Sequence, residues 1–167
     1  AYPDSLVLPI EFIPAKTGAP VSVTLKADIG VCEEICVPAS FSLTADLPTP
    51  GQPDPVIRAA LASGPTDGHS LGLARPRCTV EPIRDGLRLH ADIALPDAAK
   101  GDFAVIETAD PGIWISPVEV QAGNGHLVQT SDMVPPAAKP FMLDRSSLRM
   151  TLFTARGDVI ELTGCSG

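Results

Sequence analysis

The sequence predicts an all-β chain, and three observations predict it. Apolar residues recur with a period of two in most segments, while 18 prolines and 14 glycines among 167 residues interrupt the chain every few positions. Only one segment carries both a helix start and a helix stop signal. Long helices are excluded by that punctuation, and the length suffices for one or two small domains.

The elements follow in order. Leu6 to Ile13 (LVLPIEFI) is apolar enough for a strand buried on both faces, and its internal Pro9 assigns it an edge or bulged position. Val21 to Ile29 alternates cleanly, with Val21, Val23, Leu25, Ala27 and Ile29 on one side and Ser22, Thr24, Lys26 and Asp28 on the other. Phe41 to Leu47 repeats the pattern, which makes three strands with a close cysteine pair on the last connection. Three strands do not close a two-layer core, so this part is read as a sandwich truncated at its N-terminus.

A run dense in proline and glycine, TPGQPDP, then marks a boundary. It opens the single helix expected, residues 55–63, with Asp54 as its cap, Pro55 at its first position and Gly64 at its exit. From Cys78 on, seven short strand signals recur about every ten residues, separated by Asp85-Gly86, Gly123-Asn124-Gly125 and Arg156-Gly157-Asp158. That rhythm predicts a second immunoglobulin-like sandwich. The expected organisation is therefore 1–48 for the C-terminal part of a first immunoglobulin-like domain, 49–76 for a linker with the short helix, and 77–167 for a second β-sandwich. Trp114, the single tryptophan, is expected in the sandwich core, and the proline-rich stretch 135–140 as a stiff connection.

Charge narrows the functions. A net charge of -8 leaves no basic stripe to neutralise phosphates, so nucleic acid and anionic membrane surfaces are poor partners. No apolar run is long enough to span a bilayer. His69, His90 and His126 share no ligand spacing with each other or with a cysteine, and no G-x-S-x-G elbow occurs, so neither a metal site, a cofactor nor a hydrolase is assigned.

The cysteines carry the chemistry. Four of them in a proline-rich, aromatic-poor chain point to an oxidising compartment, with three connectivities open. Cys32 and Cys36 are separated by three residues, close enough to cycle between dithiol and disulfide within one turn. A bridge closing so short a loop removes little unfolded-state entropy and is a weak staple, which favours a redox role. Glu33 and Glu34 between the sulfurs oppose thiolate formation, which suits a relay in which a partner's thiolate attacks first. The alternative is a structural hairpin-loop disulfide.

Cys78 and Cys165 open and close the second sandwich. A structural bridge between them would pin both ends and contribute about 3 to 5 kcal/mol on the chain-entropy model. If the first and last strands run parallel, these ends lie at opposite poles, so the bridge requires the segment around Cys78 to precede its strand and fold back. Two free buried thiols are the alternative.

LVLPIEF, a following strand and VCEEICVPASFSLTADL resemble the periplasmic N-terminal domain of the DsbD-type transmembrane thiol-disulfide reductases, closest to the ScsB-like branch linked to suppression of copper sensitivity. The resemblance is specific over residues 2–47; CTVEPIRDGLRL and the terminal VIELTGC resemble that branch's second immunoglobulin-like subdomain more weakly. It implies a periplasmic location as a soluble domain of an inner-membrane protein. It implies that Cys32 and Cys36, as the catalytic pair of a protein-disulfide reductase, take electrons from the transmembrane and thioredoxin-like domains of the same longer chain. They would pass them to periplasmic disulfide isomerase-like proteins, with Cys36 facing partners. It also implies an upstream cap loop whose aromatic side chain shields the sulfurs; Tyr2 is the aromatic nearest the start of the chain, which is expected to begin inside the domain.

Two other functions use the same residues. A C-x3-C thiolate pair binds soft Cu(I), as in a copper metallochaperone, although here Val37 separates Cys36 from Pro38 and no Met or His is near. A non-catalytic spacer sandwich would make all four cysteines structural.

Overall fold

In a β-strand successive side chains face opposite ways, so a hairpin that keeps register sorts its residues into two faces. Strands β1 (Val21–Cys32) and β2 (Cys36–Leu47) form such a hairpin, antiparallel from Val21↔Leu47 to Cys32↔Cys36. Every odd-numbered residue of both strands is apolar, and these share one face of the ribbon. The even-numbered ones include Ser22, Lys26, Asp28, Ser40 and Asp46, and the polar face is braced by Ser22 donating to Asp46 and Ser40 donating to Asp28. The strands run further than the alternation alone predicts, up to the cysteines themselves. Pro38 is accommodated because each strand of a two-stranded ribbon has a free edge to which a missing N–H can point.

The computed structural model describes residues 6–14, 21–48, 51–138 and 141–167. Tyr2, part of the TPGQPDP run and the end of the proline-rich stretch 135–140 lie outside them. The chain divides into two units, Ala1–Ser63 and Gly64–Gly167. In the first, the strand expected over Leu6–Ile13 is not formed. Those residues take no regular structure and are mostly exposed, since Pro9 supplies no ladder donor and no described strand pairs with them. Helix α1 (Pro55–Ala62) starts on Asp54, whose Oδ1 accepts from the amides of Val56 at 2.7 Å and Ile57 at 3.2 Å.

The second unit is a β-sandwich. One sheet has the order β3-β11-β10-β6, from Thr66–Asp67, Val159–Thr163, Arg149–Phe153 and Phe103–Glu107. The other places β4 (Arg77–Ile83) beside β5 (Gly86–Ala94) and β5 beside β9 (His126–Val134), with β7 (Trp114–Ile115) and β8 (Glu119–Gly123) both on the far side of β9. The β4-β5-β9-β8 and β6-β10-β11 pairings are those of the two sheets of an immunoglobulin-type sandwich. Residues 64–76, within the expected linker, group with this unit because β3 adds to the sheet edge in parallel with β11.

One expected strand, WISPVEVQ, is split. Pro117 lacks an N–H, and Ser116, Pro117 and Val118 oppose only Asp132 and Ser131, a bulge closed by the Ser116 hydroxyl accepting from the Asp132 amide. The split also turns Trp114 outward: it is 59% exposed, not in the core, because it sits on a two-residue strand at the sheet end while Ile113 and Ile115 pack inward. The tight turn at Asn124-Gly125 has φ of 54° and 79°, the positive pair that a two-residue hairpin loop demands.

The core lies between the sheets: Leu89, Ala91 and Ile93 from β5, Leu127 and Met133 from β9, Ala104 and Ile106 from β6, and Met150, Leu152, Ile160 and Leu162 from β10 and β11. Two polar groups interrupt it. Gln129 Oε1 accepts from the Ala104 amide at 3.0 Å and so ties one sheet to the other, whereas Gln129 Nε2 and Ser131 Oγ have no partner among the described residues. Buried Asp102 accepts from the amides of Ala99 and Ala155, both at 2.8 Å, and staples the loop before β6 to the turn after β10.

Removing the Gln129 carbonyl orphans a buried amide, so Gln129→Leu is expected to lower the unfolding free energy by about 1–3 kcal/mol, whereas Ser131→Ala leaves it unchanged or raises it. Urea unfolding of the three proteins checks this. On the outer face, the Arg88 guanidinium, 2.7 Å from Asp132 across the strand pair, holds that carboxyl below its ordinary 3.8. A carboxyl lowered on folding stabilises above its unfolded value and loses that contribution as pH falls through the folded one. Asp132→Asn is therefore expected to flatten the loss of stability below about pH 4 without removing it, measured as melting temperature against pH.

Candidate functional site

The register of the ribbon puts Cys32 directly opposite Cys36 as its last pair, and the two are joined by a disulfide with Cα atoms 4.0 Å apart. That is the close approach of antiparallel partners that exchange no backbone hydrogen bonds. The ribbon ends there in a three-residue loop, Glu33-Glu34-Ile35, with the Glu33 amide donating to the Ile35 carbonyl at 3.2 Å. The disulfide is thus a rung of the ladder, held by two strands and carried at the tip of a hairpin. Both cysteines are exposed.

Three kinds of surface meet at that tip. Cys32 and Cys36 belong to the polar face of the ribbon, because they follow Gly30↔Pro38 in even register. On the opposite face the next pair, Val31↔Val37, is apolar and more than half exposed at 59% and 55%, and Ile35 in the loop is 76% exposed. Glu33 and Glu34 add two carboxylates between the sulfurs, and no salt bridge reaches either among the described residues. A small concavity at the tip is lined by Val31, Cys32, Glu33, Glu34, Ile35 and Val37. Chemically, this is an exposed disulfide with an apolar collar and an acidic crown.

Cys78 and Cys165 form the second disulfide, with Cα atoms 5.7 Å apart and a sequence separation of 87. Cys78 is buried in the sandwich core and Cys165 packs against it. The fold-back expected around Cys78 is not how the two ends meet. Cys78 lies within β4, and the strand parallel to β11 is β3, after which the chain crosses to the other sheet. β4 consequently begins where β11 ends. Gly164, at φ 73°, turns the chain there, and Ser166 exchanges hydrogen bonds with Pro76 and Cys78 at 2.8 and 2.7 Å. The sheet switch between Asp67 and Arg77 carried too weak a sequence signal to be read, since β3 is two residues long.

The histidines are dispersed over the second unit. His90 faces Thr130 and Glu81, His126 pairs with Asp92 at 2.7 Å, and His69 bonds the Leu73 carbonyl. Among the described residues no group of three or more His, Cys, Asp or Glu side chains is placed to hold a metal ion. No described helix is long and apolar enough to cross a membrane.

No protein-family model matches the chain, and no curated protein matches it. Among solved structures it is similar to the crystal structure of the N-terminal periplasmic domain of ScsB from Proteus mirabilis, at a TM-score of 0.51 and 16% sequence identity. The match covers 86% of this chain and 58% of that one, so the chain spans less than two thirds of its structural relative. At the level of the fold, therefore, the chain is built like the N-terminal periplasmic domain of ScsB.

Proposed function

We propose that this chain is a thiol-disulfide exchange module in which Cys32 and Cys36 accept two electrons from one partner and donate them to another. The observation that carries the proposal is the placement of the Cys32–Cys36 disulfide as the exposed last rung of a hairpin, closing a loop of three residues. A bond in that place does little for the folded state, because the loop it closes is short and the strands are already paired. It is also open to a nucleophile, which thiol exchange requires.

The exchange balances as follows. A partner's thiolate attacks one sulfur of the pair, the Cys32–Cys36 bond breaks, and a mixed disulfide forms while the other sulfur leaves as a thiolate and takes up a proton. The partner's second thiol then attacks the mixed disulfide and releases the reduced pair; the partner leaves oxidised, having given up two electrons. Donation runs the same steps in reverse onto a downstream disulfide. The Glu33 and Glu34 carboxylates oppose the thiolate form and slow unspecific attack by the reduced pair.

The likeness to a domain described as periplasmic supports a periplasmic location. In the family that residues 2–47 resemble, the transmembrane and thioredoxin-like domains of a longer chain would supply the electrons and disulfide isomerase-like proteins would accept them. The buried Cys78–Cys165 bridge, closing a long loop, is the structural one in this reading.

With the oxidised, disulfide form of a thioredoxin-like protein, the thiol left in Cys32→Ala or Cys36→Ala is expected to attack the partner's S–S bond and accumulate a mixed disulfide, the partner's other sulfur leaving as a thiol. The adduct is resolved on a non-reducing gel after acid quenching; absence of any adduct from both variants contradicts the proposal. Neutralising the crown with Glu33→Gln and Glu34→Gln is expected to speed the reaction of the reduced pair with an anionic aromatic disulfide severalfold. The gain should shrink at high ionic strength, because exposed charges are screened.

A further inference from the structure

Gly30 occupies an interior position of β1, where glycine is unfavourable and where its freedom is not used: its φ is not positive. Packing does not require it either. A Cβ placed on residue 30 would meet, among the described residues, only Cys32 Sγ, at an ordinary 3.7 Å. A strand glycine with neither a conformational nor a steric reason marks a place where another backbone comes close. Here the adjoining group is the sulfur of an exposed disulfide.

We infer that Gly30 is the seat on which a partner's main chain lies during exchange at Cys32–Cys36, and so a positioning residue for macromolecular partners; this rests on the exchange function proposed above. Register supplies the geometry. Gly30 and Cys32 are two residues apart on the same face of β1, and Pro38 and Cys36 are the matching pair on β2. The disulfide is therefore flanked along one strand by a bare backbone and along the other by a proline ring. A chain approaching on this face finds room on the β1 side.

The S–S bond spans from one strand to the other, whereas Gly30 lies along the strand from Cys32. An in-line nucleophile approaches along the bond it breaks, that is, across the ribbon. A side chain at residue 30 leaves that line clear for a small thiol and obstructs only an attacker that brings a polypeptide with it. The partner class is thus a dithiol protein that presents an extended segment beside its reactive sulfur.

The test is the rate of reduction of the Cys32–Cys36 bond in the whole chain by dithiothreitol and by reduced thioredoxin, for the native protein and for Gly30→Val, with melting temperature as the folding control. Valine is a strand former, so the variant is expected to melt at or above the native temperature. Dithiothreitol should reduce both proteins at rates within about twofold, while thioredoxin should reduce the variant at least about tenfold more slowly. Gly30→Ala should fall between them. Equal thioredoxin rates, or equal slowing by both reductants, overturn the role of Gly30 while leaving the exchange function standing. A native protein that dithiothreitol reduces and thioredoxin does not overturns the exchange function, and this inference with it. Should Gly30→Val melt early, the Gly30→Ala ratio decides on the same criterion.

Discussion

The period-two alternation of a single antiparallel ribbon is the constraint on which the rest depends. Because the ladder runs unbroken from Val21↔Leu47 to Cys32↔Cys36, parity alone decides that the cysteines share the polar face and that valines 31 and 37 back them on the other. A slip of one residue would set the polar face of one strand beside the apolar face of the other, leaving the two sulfurs on opposite faces and no longer partners. The disulfide in turn pins the register at the end furthest from Val21, so sulfur chemistry and strand pairing support each other. The two acidic residues of the loop fall outside the ladder, at the tip, where any approaching molecule meets them first.

The second unit solves a different problem. Its two sheets bury an apolar core, and its ends are brought together by a change of sheet between β3 and β4, by the turn at Gly164 and by the buried Cys78–Cys165 bond. The two disulfides thus differ in every respect that bears on reactivity. One closes a short exposed loop between strands already paired, and the other closes a long loop from within a core. Burial of Cys78 in the core and the packing of Cys165 against it hinder a bulky thiolate at that bond.

Much of this was legible in the residues. The alternation in Val21–Ile29 and Phe41–Leu47, the Asp54-Pro55 helix start, the Asn124-Gly125 turn and the strand rhythm after Cys78 each state a local preference that the fold keeps. What was not legible depends on pairing. Leu6–Ile13 has strand composition, yet Pro9 and the lack of a described neighbour leave it without a ladder. Trp114 reads as core by type, and the bulge at Pro117 sends it to the surface. The two-residue strand Thr66–Asp67 has no periodicity to detect, and it is the strand parallel to β11, which leaves β4 with Cys78 to begin where β11 ends, beside Cys165. Gly30 is not legible as special from sequence, because a glycine in a strand gains meaning only when its neighbour across space is known.

The account's central claim is that one disulfide is made to open and the other to hold. Counting thiols on the oxidised, folded protein under gentle reduction, and again after unfolding, tests it most directly. The account predicts two thiols, from Cys32 and Cys36, released while the fold persists, and two more, from Cys78 and Cys165, only once the chain unfolds. Release of all four together, or of none before unfolding, would contradict it.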